Sequence, residues 1–257
     1  MEYVVIAIAS FLISGLTLFS GFGLGTLLLP FFALFFPLDM AVALTAVVHL
    51  LNNLFKLVLL GRKADRAVVL RFGIPAIVAS FAGAEGLLFL SGMNPLCQYA
   101  LGGKIFFVTP LKVAIAVLII VFALFEIVPR LARLSFDRRY LVLGGVLSGF
   151  FGGLSGHQGA LRSAFLLRAG LSPEGFIATG VVIACLVDIV RVPVYITHFS
   201  SAVLGASGML LVVATLAAFL GAFIGNRLAK KVTMRYVQIV VAVMLFVIAI
   251  GLGTGLI

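Results

Sequence analysis

Two glycine-rich stretches hold the residues best suited to chemistry: Ser20-Gly21-Phe22-Gly23-Leu24-Gly25 and Gly152-Gly153-Leu154-Ser155-Gly156-His157-Gln158-Gly159. Each lies in the middle of an unusually long apolar run, 3–36 and 140–167. A break at such a point ends one helix and begins another. The new helix start presents unpaired N–H groups and a partial positive charge, which suit an anion. Glycine permits the turn and lets a ligand approach the backbone closely. The same glycines would also serve close helix packing. Their occurrence at matched positions in both halves favours a site built from Gly21, Gly23 and Gly25 on one side and Gly156 and Gly159 on the other.

Polar residues cluster around these breaks. Arg162 follows Gly159 by three positions, and its planar fork matches sulfonate, carboxylate or phosphate oxygens. An arginine at membrane depth faces the protein interior or a water-filled cavity, unless it snorkels or pairs structurally. His157 and Gln158 occupy the second break and offer hydrogen bonds. His157 is also a candidate proton acceptor, because an imidazole titrates near physiological pH. Asp188 and Arg191, three apart, share a helix face and form either a structural ion pair or part of a transport path. Pro193 disturbs the same helix. His49, Asn52, Asn53 and Lys56 follow helical spacing and form a polar stripe that should face the bundle interior, with Lys56 also able to snorkel to the cytoplasmic edge. Thr45 and Thr179 occupy matched positions, each near the start of its run. Glu85 is expected near the outer boundary.

The elements that position these residues are read from hydrophobicity. Hydrophobic residues make up 63% of the 257 positions and charged residues 10%. A soluble domain of this length would carry about 25% charged residues, so the solvent of this chain is lipid. Apolar runs fall at 3–36, 40–60, 67–91, 108–129, 140–167, 175–197, 202–226 and 236–256. They lack the alternation of barrel strands and are therefore helices, the other structure able to pair its backbone within a bilayer. A crossing needs about 20 apolar residues.

The chain is an internal duplication. A shift of 134 positions superposes Ser14-Gly15 on Ser148-Gly149, Gly25 on Gly159, Phe31 on Phe165 and Thr45 on Thr179. A shift of 138 aligns Phe81-Ala82-Gly83-Ala84 with Phe219-Leu220-Gly221-Ala222, and one of 124 aligns Val108-Thr109 with Val232-Thr233. The expected division is a first repeat over 1–129, a basic linker over 130–139 and a second repeat over 140–257.

Basic residues collect in three connections: Lys56, Arg62, Lys63, Arg66 and Arg71; Arg130, Arg133, Arg138 and Arg139; Arg227, Lys230, Lys231 and Arg235. All three should be cytoplasmic. Eight plain crossings cannot achieve this. The conflict disappears if runs one and five each enter the membrane and return as half-helix hairpins, which leaves only Lys104 and Lys112 outside. The expected fold class is therefore an all-α polytopic membrane protein of two four-element repeats, inverted relative to each other, with both termini outside.

The net charge of +10 does not indicate nucleic acid, since the basic residues form no patch or aromatic-interleaved face. Cys97 and Cys185 lack metal-ligand or redox spacing, so no cofactor and no metal are expected. No HExxH occurs, and Ser155 lacks the GxSxG frame, which argues against a membrane-embedded enzyme. A channel would need a pore ringed by carbonyls or charges; a two-fold repeat with asymmetric polar content fits a binding site better.

At these residues the chain resembles the TauE/SafE family of sulfite exporters, also called TSUP, whose duplicated pattern is roughly G-x-x-G-x-G-G-G, a proline, then A-x-A-T-S. The first copy here reads GFGLGTLLLP (Gly21 to Pro30), then Ala41-Val42-Ala43-Leu44-Thr45. The second reads GGLSGHQGALRSAFLL (Gly152 to Leu167), then Gly170-Leu171-Ser172-Pro173 and Ala178-Thr179-Gly180. His157-Gln158 stands where that family has glycines, and Ala164 where the first copy has Pro30. The resemblance implies transport of sulfur-containing or other small organic anions, with protons as a candidate coupling ion, in a bacterial inner membrane. The expected partners are a small anion and the bilayer, with a homodimer as a candidate assembly.

Overall fold

The computed structural model describes residues 2–17, 23–198, 208–228 and 234–257. Ser20, Gly21 and Phe22 of the first break lie outside them, as do Lys230, Lys231 and Val232-Thr233 of the last connection. Helices α1 (Glu2–Thr17) and α2 (Leu24–Ala33) make up the first run, followed by α3 (Leu38–Leu60) and α4 (Arg66–Ser91). Strands β1 (Cys97–Leu101) and β2 (Lys104–Val108) precede α5 (Pro110–Ile127) and the short α6 (Pro129–Ala132). The second half contains α7 (Leu141–Ser155), α8 (Gly159–Leu166), α9 (Pro173–His198), α10 (Gly208–Leu228) and α11 (Met234–Gly253).

Helix ends are set by local chemistry. Asp65 begins α4 by accepting the Val68 N–H at 2.9 Å, and Thr109 begins α5 by accepting that of Lys112 at 3.2 Å, with Pro110 in the first turn. Asp39, in the first turn of α3, accepts the Ser91 hydroxyl at 2.6 Å and so ties that turn to the end of α4. Sequence periodicity places no element between 91 and 108, yet an antiparallel hairpin stands there. Its turn, Gly102-Gly103, has positive φ at both positions (59° and 77°), the geometry of a tight two-residue hairpin.

Among the described residues, four helices are long and apolar enough to cross a membrane: Leu38–Val58, Arg66–Ser91, Pro110–Ile127 and Pro173–His198. Outward-facing side chains are apolar, with Val58, Val78, Phe89 and Val247 well exposed, whereas His49, Asn52, Asp188 and Arg191 are buried. This reversal of the soluble pattern matches a lipid solvent. The protein is a polytopic α-helical integral membrane protein, and the hairpin is its one departure from the all-α expectation among the described residues.

Both long runs are broken. Helix α7 stops at Ser155, Gly156 takes a left-handed conformation (φ 81°), and α8 starts at Gly159. In the first run α1 ends at Thr17 and α2 starts after an extended Gly23. Helices of 10 and 8 residues rise only about 15 and 12 Å, roughly half a bilayer core or less.

Packing exchanges partners between the halves: α7 lies on α4, α1 on α10, α3 on α9 and α5 on α11. Glycine makes the two crossed contacts possible. A methyl group on Gly145, Gly149 or Gly153 would fall 2.2, 2.3 or 2.0 Å from the carbonyl oxygens of Phe72, Ala76 and Ser80 respectively. One on Gly83 would strike the Phe150 carbonyl at 2.1 Å, and one on Gly221 the Phe11 carbonyl at 2.0 Å. Lipid tails are as apolar as leucine, so close backbone approach rather than hydrophobic burial holds such helices together. The basic linker also docks: Phe136 donates its N–H to the Ala164 carbonyl at 3.0 Å and stacks on Phe165 at 4.3 Å, anchoring it to α8.

Candidate functional site

The two helix breaks face each other. A methyl group on Gly23 would lie 4.0 Å from the Cα of Gly159. One on Gly25 would lie 3.3 Å from the Gly156 carbonyl oxygen and 3.8 Å from His49 Cδ2. The N-termini of α2 and α8 therefore meet inside the protein, beside α3. Neither carries a side-chain cap, since Gly23 has no side chain and that of Gln158 makes no capping bond. Their first-turn N–H groups are the orphan donors that every helix start presents.

Behind this junction lies a buried charged cluster joining α3 to α9. Asp188 is 0% exposed and Arg191 1%. His49 Nδ1 stands 2.5 Å from Asp188 Oδ2, and Arg191 donates Nε–H to Asp188 Oδ1 at 2.9 Å. Arg191 Nη2 lies 2.8 Å from that same oxygen, while Nη1 donates to the Gly152 carbonyl at 3.0 Å. Arg191 thus holds the final turn of α7 just before the break. Tyr195, one turn further on, donates its hydroxyl to the Gly153 carbonyl. The expected Asp188–Arg191 pair exists, and it extends to a third ionisable partner 139 positions away in sequence.

Around the junction several buried polar atoms have no hydrogen-bond partner among the described residues: Asn52 Nδ2, Gln158 Nε2, His157 Nε2 and Thr45 Oγ1. A buried donor without a partner is costly, so each points to something it could bind. Asn52 is held by its other atom, Oδ1, which accepts the Ser14 hydroxyl at 3.2 Å. Asn53 sets its amide nitrogen 3.2 and 3.1 Å from the two ring nitrogens of His49. His157 stacks on Phe122 at 5.5 Å, with Nδ1 2.9 Å from the Ser155 hydroxyl oxygen. Arg162, partly buried, donates to Gln158 Oε1 at 3.3 Å and lays its Nε beside Gly180 of α9. Lys56 is buried on the same face of α3 as His49.

One expected equivalence does not hold. Thr45 and Thr179 occupy matched positions, yet only Thr45 keeps a free hydroxyl. Thr179 accepts the Asp65 N–H at 3.0 Å and so fastens α9 to the start of α4. Glu85 is exposed. Sequence reasoning missed Tyr195 and Phe122; Tyr195 follows Asp188 and Arg191 at seven and four positions, a spacing that places it on their face. It also missed Glu126, half-buried in a cleft of about 270 Å³ lined by Leu131, Ser163, Ala164 and Gln238.

Two helix breaks meeting in a polar interior, inside a bundle with an apolar exterior, make a candidate ligand site within a membrane protein. Residues 6–252 match the family model described as sulfite exporter TauE/SafE, nearly the whole chain, and the protein belongs to that family. It is a membrane transporter. No curated protein and no solved structure matches the chain.

Proposed function

We propose that the protein is a secondary transporter that binds a small sulfur-containing or organic anion, such as sulfite, a sulfonate or a carboxylate, where its two broken helices meet. The observation that carries this reading is the approach of two uncapped helix N-termini, with Gly23 and Gly159 almost in contact. Each helix start carries roughly half a positive charge, and the water-poor interior strengthens its pull on an anion. Gly23, Gly25, Gly156 and Gly159 supply backbone donors, while Asn52, His157 and Gln158 bring unpartnered side-chain nitrogens. Arg162, which donates to Gln158, provides the strong counter-charge. Thr45 adds a hydroxyl on the same α3 face. Gly21 would complete the first break. Asp188 and Arg191 brace the end of α7 and so keep the second break in position. No step requires a cofactor or covalent chemistry.

Transport follows an alternating-access scheme in which residues 1–129 and 140–257 act as inverted repeats rocking about the junction. The exchanged packing of α1 on α10 and α7 on α4 supports this, because each half contributes the partner for the other's broken helix. The basic connections lie in the cytoplasm and both termini outside, in a bacterial inner membrane.

The test is flux into proteoliposomes of purified protein, using radiolabelled sulfite, methanesulfonate and acetate. Saturable uptake with counterflow is the expected result. Non-saturating, voltage-gated conductance would replace the reading with a channel, and absence of any anion flux would remove it.

A further inference from the structure

Two buried basic groups, His49 and Arg191, share the Asp188 carboxylate, and their geometry allows only one of them to vary its charge cheaply. Asp188 faces His49 Nδ1 through Oδ2 and Arg191 through Oδ1. Two lone pairs cannot face each other at 2.5 Å, so a proton lies between His49 Nδ1 and Asp188 Oδ2. The Arg191 guanidinium remains charged, and Asp188 balances it. The remaining variable is the second ring nitrogen, His49 Nε2. Nε2 belongs to the ring edge on which Cδ2 lies 3.8 Å from the position of a methyl on Gly25. That edge is turned towards the helix break.

We propose that His49 is the proton-binding site of this transporter: Nε2 takes up one solvent proton with each monoanion bound at the helix breaks and releases it when the anion leaves. The inference rests on the anion-transport reading above. Nδ1–H stays on Asp188 throughout, so the only bond made or broken is Nε2–H, and the proton moves between imidazole and water. Asp188 is already matched by Arg191, so the positive charge added to the ring is compensated by the anion. Asn53 lies against the ring, with its amide nitrogen 3.2 and 3.1 Å from Nδ1 and Nε2.

Among the described residues, Asp188 is the one carboxylate that acts on His49, Asp39 lying at the far start of α3. On α9, Asp188 and Arg191 face His49; on α8, Arg162 is close enough to act on it electrostatically. Lys56 lies two turns along α3 itself. Helix α2 carries no ionisable residue, and neither does the part of α10 from Gly208 to Ile224. Helix α5 carries only Lys112 and Glu126, near its two ends, α1 only Glu2, and α4 only Arg66, Arg71 and Glu85. Arg162 attracts the anion and, as a guanidinium, contributes the same charge in loaded and empty states. His157, by contrast, has no carboxylate partner: its ring lies between Phe122 and Ser155, with the Arg191 guanidinium next to the adjoining Gly156. A proton there would stand beside a second cation.

Binding of proton and anion must then be mutually reinforcing, since coupling between two ligands is reciprocal. One positive and one negative charge move together, so transport is electroneutral. Methanesulfonate is the suitable probe because it stays monoanionic across the useful pH range. In proteoliposomes loaded with a pH-sensitive dye, an inward methanesulfonate gradient should acidify the lumen, with flux insensitive to membrane potential. In His49→Gln the acidification should be lost, and residual flux should become dependent on potential. His198→Gln, an exposed position at the end of α9, should retain acidification.

Proton-coupled, electroneutral flux in His49→Gln overturns the proposal, as does electrogenic flux without acidification in the parent. Either result leaves the anion-transport reading intact, whereas failure of the parent to move any anion removes that reading first. Should His49→Gln not insert, ¹⁵N-histidine NMR of the parent decides, with its three histidines assigned through His157→Gln and His198→Gln. The His49 Nε2 signal should titrate, with its midpoint moving to higher pH in saturating methanesulfonate. A His49 signal that neither titrates nor responds to the anion overturns the proposal.

Discussion

Replacing Asp188 by asparagine tests whether the buried cluster is an electrostatic unit. The parent carboxylate sits 2.5 Å from His49 Nδ1 and 2.9 and 2.8 Å from Arg191 Nε and Nη2, with all three side chains buried. Asp188→Asn keeps the shape but leaves the Arg191 charge without its partner. Breaking a buried pair in this way costs about 3–5 kcal/mol, and for a chain of this size each kcal/mol shifts the thermal midpoint by about 2–4 °C. The expected loss is therefore on the order of 10 °C. Removing both charges, as in Asp188→Leu/Arg191→Leu, gives up only hydrogen bonds to Gly152 and His49, each worth about 1 kcal/mol net. The double variant should therefore be more stable than Asp188→Asn alone. Heating the detergent-solubilised protein and measuring the monodisperse fraction by size exclusion reads both values. A single variant that melts with the parent, or a double variant whose loss equals the sum of Asp188→Leu and Arg191→Leu, would refute the argument.

Other consequences follow from the same geometry. Gly153→Ala should destabilise the α4–α7 contact by about 1–3 kcal/mol or more, because its methyl would strike the Ser80 carbonyl, while Gly86→Ala meets only ordinary contacts and should be neutral or mildly stabilising in the same melting assay. Arg162→Ala should weaken methanesulfonate binding by about 1.5–3 kcal/mol, roughly 10- to 150-fold, without impairing membrane insertion; unchanged affinity by thermal-shift titration takes the arginine out of the site. Single cysteines introduced at Arg133 and Lys230 in a cysteine-free background should be labelled from the same side of the membrane, and opposite labelling would exclude the hairpin topology.

How much of this was legible beforehand differs by level. Helical membrane class, the two interrupted runs and the resemblance to the TauE/SafE family follow from composition, basic-residue placement and a repeated glycine pattern. The Asp188–Arg191 pair was readable too, because a three-residue spacing on one helix forces proximity. The β-hairpin was not, since Tyr99 and Phe106 stack within a stretch too short and mixed to stand out from a loop.

What only the tertiary structure decided is who meets whom. In a lipid-facing helix nearly every side is apolar, so hydrophobic periodicity no longer identifies the inner face. The partner of a helix is chosen by where glycines let backbones close and where polar groups find each other across the fold. Thus His49 reaches Asp188, Gly23 meets Gly159, and Thr179 is diverted to Asp65 while its repeat counterpart Thr45 stays free. The sequence by itself determined that this chain lives in a membrane and breaks two of its helices there. Only the folded arrangement brought the two breaks face to face and set His49 against a buried carboxylate.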